Sequence, residues 1–259
     1  AEPDAGLARA CRSAAERVCY TLGRDPAWRD RALGSAGEAV ARDSARAEAW
    51  RALGDARAEV RDRAGALEAY RRSVALNPTD DYSALRLART QYHLGHPELE
   101  RESYAATIAS RPHCWQPYWW LATWEYRQGN IDQAATAFRE MIRRSPDLHR
   151  GYAGLGGILD LLGAYDQAID TLKIAIALRP EETAFDNLGT AYFNSGRLEE
   201  AVAAYNQALQ FGFASYLMWI NLGDAYFWLP GRRTQAAEAY GEAVRLAREE
   251  SARLAEARR

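Results

Sequence analysis

Four glycines within seven residues are the first feature of this sequence that could bind a ligand. They are Gly151, Gly154, Gly156 and Gly157. A glycine-rich loop that cradles phosphate groups requires Gly-Lys-Ser or Gly-Lys-Thr directly after it. The only lysine, Lys173, lies well beyond the cluster. We therefore interpret these glycines as sites of close helix packing.

Histidine and cysteine are the candidate metal ligands. His93 and His96 have the spacing of half a metal site, and His113 with Cys114 would supply further ligands. The repeat frame described below places the two pairs at opposite ends of the helices, about 20 Å apart. We therefore expect no metal site, and histidines that are solvated or at helix ends.

The remaining polar residues suggest no catalytic set. The sequence has no kinase element such as His-Arg-Asp or Asp-Phe-Gly, and no Ser-His-Asp or Cys-His set can be argued from it. Its carboxylates lie in surface columns, and Glu249-Glu250 is interpreted as a solvated helix face. We predict that the chain has no catalytic residue and binds no cofactor.

Composition excludes several further classes. The 259 residues are 48% hydrophobic and 26% charged, which excludes an intrinsically disordered chain. The net charge of −2 gives no basic excess, so we expect neither nucleic acid nor a membrane surface as a partner. No apolar run is long enough to span a bilayer, and we expect no signal or transit peptide in these residues. Cys11 and Cys19 would lie about 12 Å apart on one helix, too far for a disulfide.

A period of 34 residues organises the chain. Leu-Gly or Leu-Ala pairs begin at residues 53, 87, 121, 155, 188 and 222. Pro78, Pro112, Pro146 and Pro180 recur with the same period, and an alanine column is broken once by Glu100. This pattern predicts helix pairs, each too small to bury its own apolar face, which stack on their neighbours.

These columns resemble the tetratricopeptide repeat (TPR), whose pattern is Trp-x2-Leu-Gly-x2-Tyr followed by Ala, an aromatic residue and Pro. Two copies match its opening motif: Trp50-x2-Leu53-Gly54 and Trp219-x2-Leu222-Gly223-x2-Tyr226. The resemblance implies an all-α TPR solenoid, a right-handed superhelix of antiparallel helix pairs. Its predicted parts are a divergent N-terminal hairpin (1–46), six repeats (47–80, 81–114, 115–148, 149–181, 182–215 and 216–246) and the end of a C-terminal capping helix (247–259).

Local signals predict where the helices begin and end. Gly95, Gly129, Gly163 and Gly196 lie where the first helix of a pair must stop and turn. Two further helices are predicted in the N-terminal hairpin, over residues 5–22 and 27–41. The last repeat has an extra residue within 230–233, and the chain then continues as a long, charged helix.

The TPR resemblance implies a concave inner surface built mainly from the first helix of each pair. Aromatic side chains in its columns are not needed by the repeat, and exposed aromatics are typical of peptide-binding hot spots. The alternative is that they pack on the next repeat or on the N-terminal hairpin. The candidate partner-binding residues are Tyr82, Arg89, Tyr92, Trp119, Trp120, Tyr126, Arg127, Asp160, Asp186, Asn187, Phe193, Asn221, Asp224, Phe227 and Trp228.

Two kinds of polar residue on this surface indicate the ligand. Asn187 and Asn221 share a column, and an amide can pair with an extended backbone; the alternative is a hydrogen bond within the helix. Asp160, Asp186 and Asp224 make the C-terminal half acidic. We expect a peptide or protein ligand with apolar or aromatic side chains and Arg or Lys. The Lys-Asn clamp of TPR proteins that bind chaperone tails is missing.

The predicted function is a non-catalytic protein-interaction scaffold. One alternative is the regulatory or substrate-recruiting region of a bacterial signalling enzyme. The segments Asn187-Leu-Gly-Thr-Ala-Tyr-Phe193 and Asn221-Leu-Gly-Asp-Ala-Tyr226 resemble the C-terminal TPR region of eukaryotic-like Ser/Thr protein kinases. The parent protein would then be membrane-anchored, with this soluble domain in the cytoplasm or periplasm. Another alternative is a self-assembly module; the oligomeric state and the partner's identity stay open.

Overall fold

The computed structural model describes residues 26–212 and 215–257, and every regular element among them is an α-helix. The predicted helix over 5–22 lies outside the described residues. The helices are α1 (Pro26–Arg42), α2 (Ala47–Glu59), α3 (Arg63–Leu76), α4 (Asp81–His93), α5 (Pro97–Ser110), α6 (Gln116–Arg127), α7 (Ile131–Arg144), α8 (His149–Leu161), α9 (Tyr165–Leu178), α10 (Glu182–Asn194), α11 (Leu198–Leu209), α12 (Tyr216–Trp228) and α13 (Arg233–Ala257).

Glycines in the left-handed backbone region end the first helix of most pairs. The φ angles are +87° at Gly95, +78° at Gly129, +74° at Gly163 and +79° at Gly196. This confirms the predicted turns, because glycine adopts positive φ without a steric penalty. In the pair formed by α2 and α3 the equivalent residue is Arg61, with a φ of +63°.

Close helix packing accounts for the glycine cluster of α8. A Cβ atom at Gly154 would lie 2.4 Å from Cε1 of Phe138, and one at Gly156 would lie 2.4 Å from Cγ of Leu172. Phe138 and Leu172 belong to the second helices α7 and α9, so each glycine lets a bulky side chain approach the α8 backbone. The packing interpretation of this cluster is confirmed.

The chain divides into two compact units, residues 1–121 and 122–259. Within each unit, the described helices pack mainly on helices one or two positions away along the chain. In the first unit α1 packs on α2, and Ala36, Ala49 and Leu53 belong to their common core. In the second unit α8, α9 and α10 pack around Ala153, Ala175 and Ala184. Among the described helices, none has both the length and the hydropathy of a membrane-spanning segment.

Candidate partner-binding surface

The predicted partner-binding residues differ widely in exposure. Trp228 is 65% exposed and Tyr126 49% exposed, both unusually high for large aromatic side chains. Trp120 and Phe193 are half-buried. The other exposed residues of the set are Tyr82, Arg89, Tyr92, Trp119, Arg127 and Phe227. Among the aromatic residues in the neighbouring columns of the first helices, Tyr118 and Tyr192 are buried, whereas Trp50, Tyr152, Trp219 and Tyr226 are only partly buried.

Two aromatic candidates in the first unit have partners within the chain. The ring of Trp120 packs on Tyr104 of α5, with centroids 6.0 Å apart. The hydroxyl of Tyr82 donates a hydrogen bond of 3.0 Å to Oδ1 of Asp55. Trp120 therefore packs within the array, as the alternative for the aromatics proposed, but on the preceding helix pair rather than on the next repeat.

Asp55 is the centre of a polar network that sequence analysis missed. Asp55 is 3% exposed, and its carboxylate accepts a hydrogen bond of 2.7 Å from the hydroxyl of Tyr70. The Nε atom of Arg86 lies 3.2 Å from the same oxygen. Burial raises the pKa of Tyr70, and the charge of Asp55 raises it further. The network links α2, α3 and α4.

A hydrogen bond of the same kind recurs in the second unit. The hydroxyl of Tyr205 lies 3.2 Å from Oγ1 of Thr190, and that of Tyr240 donates a bond of 2.6 Å to Oδ1 of Asp224. Each joins the second helix of a pair to the first. The sequence signal was a tyrosine 15 or 16 residues after Asp or Thr. In the pair formed by α4 and α5, the residue 15 positions before the tyrosine is Arg89. The hydroxyl of that tyrosine, Tyr104, donates instead to the buried carboxylate of Glu100.

A pocket of about 340 Å³ in the second unit is lined mainly by the first helices α6, α8 and α10. We call the surface formed by the first helices of this unit its first-helix face. It brings together three of the predicted residues: Tyr126, Asp160 and Asn187. Asn221, Asp224, Phe227 and Trp228 lie on α12, outside its lining. The remaining lining residues are Thr123, Phe138, Gly154, Gly157, Ile158, Leu161 and Thr190.

The carboxylates of this face are desolvated. Asp160 is 8% exposed; burial raises the pKa of its carboxyl, and two 3.0 Å contacts from Nδ2 of Asn194 oppose the shift. Burial also raises the pKa of Asp186, and a hydrogen bond from Asn221 opposes it. Oδ1 of Asp186 is buried and has no hydrogen-bond partner among the described residues. Such groups are enriched at functional sites.

The three carboxylates act on a common neighbour. Tyr205 is 1% exposed, and burial raises the pKa of its phenol; a hydrogen bond to Thr190 lowers it, and the charges of Asp186, Asp160 and Asp224 raise it further. In the described part of the chain, no cationic side chain forms an ion pair with any of these carboxylates. The described residues also contain no group of carboxylate, histidine or cysteine side chains placed to hold a metal ion.

The asparagines of this face bond to the preceding first helix. Nδ2 of Asn187 lies 3.4 Å from the carbonyl oxygen of Ala153, on α8. A Cβ atom at Gly157 would lie 3.2 Å from the same Nδ2, so this glycine makes room for the amide. Asn194 bonds across the same interface to Asp160 of α8, and Asn221 of α12 bonds across the next interface to Asp186 of α10. The bond of Asn187 therefore differs from the within-helix alternative considered above.

Antiparallel helix pairs that pack on their neighbours along the chain define a helical-repeat protein, the class to which many interaction scaffolds belong. A tetratricopeptide repeat model matches residues 52–113, 85–149 and 121–183, and a second TPR model matches residues 183–211. The chain belongs to the tetratricopeptide repeat family. TPR-fold proteins are generally non-catalytic scaffolds for other proteins.

Individual relatives agree with this family. The peroxisomal targeting signal receptor of Candida albicans is 27% identical over 184 residues, covering 66% of this chain and 31% of the relative. The human PEX5-related protein is 28% identical over 184 residues, covering 62% of this chain and 28% of the relative. The chain thus spans less than a third of the length of these relatives.

A solved structure also has this fold. The crystal structure of a thermophilic TPR protein in Thermus thermophilus superposes with a TM-score of 0.53 at 26% identity, covering 70% of this chain and 99% of that protein. The predicted all-α TPR solenoid is confirmed.

Proposed function

We propose that the first-helix face of the second unit binds an extended peptide segment that carries Arg or Lys beside an apolar or aromatic side chain. The observation that carries the proposal is the desolvated pair Asp160 and Asp186, which has no cationic partner in the described chain. A bound cation would supply the missing partner.

The energetics favour a ligand with positive charge. A buried oxygen without a hydrogen-bond partner destabilises the free chain, and more so when it is charged. Asp186 holds such an oxygen. A guanidinium group fits this role because its planar fork of donors pairs with a carboxylate in two places. Binding would therefore offset a cost already present in the unbound chain.

The pocket in the second unit offers a site for the apolar side chain of the ligand. The pocket of about 340 Å³ lies within the usual size range of ligand pockets and includes Tyr126 and Leu161, both exposed. Large exposed aromatic side chains contribute strongly to binding because they bury much area at little entropic cost. Of the two carboxylates, Asp160 lines this pocket and Asp186 does not. The carboxylate of Asp160 and the apolar lining together favour a mixed cationic and apolar segment.

The name of one relative supports recognition of a signal. The Candida albicans relative is named as a receptor for a targeting signal. We extend to this chain the recognition of a signal within a partner protein. The acidic character of the face, rather than the relatives, determines the proposed chemistry of that signal.

Peptide display on the purified chain tests the proposal. We expect enrichment of peptides that contain Arg or Lys next to an aromatic or aliphatic residue. The double variant Asp160→Asn with Asp186→Asn should bind them about tenfold more weakly or worse. The matched control is Asp170→Asn, an exposed carboxylate on the second helix α9. Equal binding by the double variant and the control, or enrichment without basic residues, contradicts the proposal.

Two alternatives from the sequence carry their own tests. The relatives hold the matched region within longer chains, so a larger signalling protein stays a candidate parent. Reading the gene upstream of Ala1 decides the kinase-type parent, which requires a catalytic module there. Light scattering over a concentration series decides self-assembly, and a constant monomer mass contradicts it.

A further inference from the structure

A second pocket, in the first unit, has the opposite charge. It has a volume of about 270 Å³ and is formed at the end of α2, the start of α3 and the last turns of α4. No carboxylate is among its lining residues. They are Ala58, Arg63, Ala66, Arg86, Arg89, Thr90 and His93.

Arg86 is the fixed cation of this pocket. Its Nε atom donates a hydrogen bond of 2.9 Å to the hydroxyl of Tyr70 and lies 3.2 Å from Oδ1 of Asp55. Burial alone would lower the pKa of this guanidinium, but Tyr70 and Asp55 raise it above its ordinary value. The pocket therefore keeps a charged guanidinium whose position is held by α2 and α3.

Arg63 and Arg89 provide charge that the chain does not neutralise. Both are exposed, and neither forms an ion pair with another described residue. The nearby Asp62 caps α3 by accepting a 2.9 Å bond from the Gly65 amide. Among these side chains, three guanidinium groups stand against the single carboxylate of Asp55, an excess of two positive charges.

We propose that this pocket binds a phosphoryl group on a side chain of a partner protein. A single guanidinium pairs with both oxygens of a carboxylate through two parallel hydrogen bonds. Three guanidinium groups therefore offer more donors than the carboxylate of an Asp or Glu ligand can accept. A phosphoryl group has three acceptor oxygens and a charge of about −1.5 to −2 near neutral pH. The partner is a protein because the chain belongs to a family of protein-interaction scaffolds.

This inference goes beyond the proposed function, which concerns the second unit alone. The first probe is phenyl phosphate, with benzoate as the carboxylate of matched size. Both are titrated into the isotope-labelled chain while the NMR signals of the arginine side chains are followed. We expect phenyl phosphate to shift the signals of Arg63 and Arg89, and benzoate to bind about tenfold more weakly.

Variants connect the binding to the pocket. Arg63→Gln with Arg89→Gln should weaken phenyl phosphate binding about tenfold or more, whereas Arg71→Gln, on an exposed position of α3, should not. Both substitutions leave the Asp55 network in place, and circular dichroism verifies the helix content. Equal binding by the double variant and the control overturns the proposal, as does equal affinity for benzoate.

A second arm distinguishes the source of the phosphoryl group. Random peptides with a central phosphoserine are compared with the same pool carrying glutamate or serine, and with phosphatidylserine vesicles. Binding of the phosphoserine pool that requires Arg63 and Arg89 supports the proposal. Binding of vesicles alone, or of the glutamate pool equally well, overturns it. Neither result bears on the acidic face of the second unit, which is tested by the Asp160 and Asp186 variants.

Discussion

At the scale of single residues, Asp186 combines a structural cost with a proposed role in binding. Burial raises the pKa of its carboxyl above the ordinary value of 3.8, so the folded chain holds the proton more tightly than the unfolded chain does. At neutral pH the charged form therefore lowers the free energy of unfolding. That cost is full above the folded-state pKa and fades as the pH falls towards 3.8.

Asp186→Asn should accordingly stabilise the chain while weakening the binding of basic peptides. We expect the free energy of unfolding at pH 7 to rise by about 1 kcal/mol, because the variant removes a buried charge. Urea denaturation at pH 7 and at pH 4 measures it, and the gain should be smaller at pH 4. Asp170→Asn is the control and should change neither value. A loss of stability at pH 7 would contradict this account of Asp186.

Arg61 is a second residue whose backbone conformation has a cost. Its φ of +63° lies in the left-handed region, where a side chain is disfavoured by about 1–2 kcal/mol. We expect Arg61→Gly to raise the free energy of unfolding by about 1 kcal/mol. Arg61→Ala, which keeps the Cβ atom, should gain nothing. Thermal denaturation of the three proteins tests this, and equal midpoints for all three would refute it.

The sequence predicted the turn glycines but not the Asp55 network. Glycine is favoured where the backbone adopts a positive φ, so a column of glycines predicts a turn at each of its positions. Arg61 is the residue of this column that adopts a positive φ with a side chain. A polar residue in a first-helix column has no such fixed meaning. Only the position of Tyr70 on the facing helix determines that Asp55 is buried and bonded rather than exposed.

At the scale of helices, the close contact between α10 and α11 depends on Gly189. A Cβ atom there would lie 2.5 Å from Cδ1 of Tyr205. We expect Gly189→Ala to lower the free energy of unfolding by about 1–3 kcal/mol, because the ring of Tyr205 is buried and cannot move aside freely.

Gly241 provides the matched control for this substitution. It lies inside α13, where an added Cβ atom would meet nothing within 4 Å. Gly241→Ala should therefore raise stability by about 1 kcal/mol through helix propensity alone. Urea denaturation of both variants measures the change in the free energy of unfolding, which should be negative for Gly189→Ala and positive for Gly241→Ala. A stabilising Gly189→Ala would refute the packing account.

Repeat spacing predicted the helix pairs well because period and helix length are linked. It predicted less about how deeply each side chain of the first helices is buried. Trp120 and Trp119 are neighbours in sequence, yet only Trp119 is exposed, because the Trp120 ring packs on α5. Column counting also failed to indicate the desolvation of Asp160 and Asp186, which depends on the neighbouring helices.

At the scale of the whole molecule, packing is local along the chain. Helices within each unit pack mainly on helices one or two positions away. Stability in such arrays is close to a sum over repeats and their interfaces. Destabilising one interface should therefore leave distant repeats unchanged.

Hydrogen exchange of the Gly189→Ala variant tests this locality. We expect lower protection of the amides of α10 and α11, because the substitution disturbs their contact. The amides of α2, α3 and α4 should keep the protection of the unmodified chain. A uniform loss of protection in both units would instead indicate a single cooperative structure.

The two kinds of polar bond in the second unit have different consequences for rearranging the gene. The bond between Tyr205 and Thr190 closes within one helix pair, so a duplicated or transplanted pair brings both partners with it. The bond from Asn194 to Asp160 joins successive pairs and requires a particular predecessor. Shuffling the pairs would preserve the first kind and break the second. The hydrogen bonds of the asparagines therefore form only when the helix pairs follow one another in the present order.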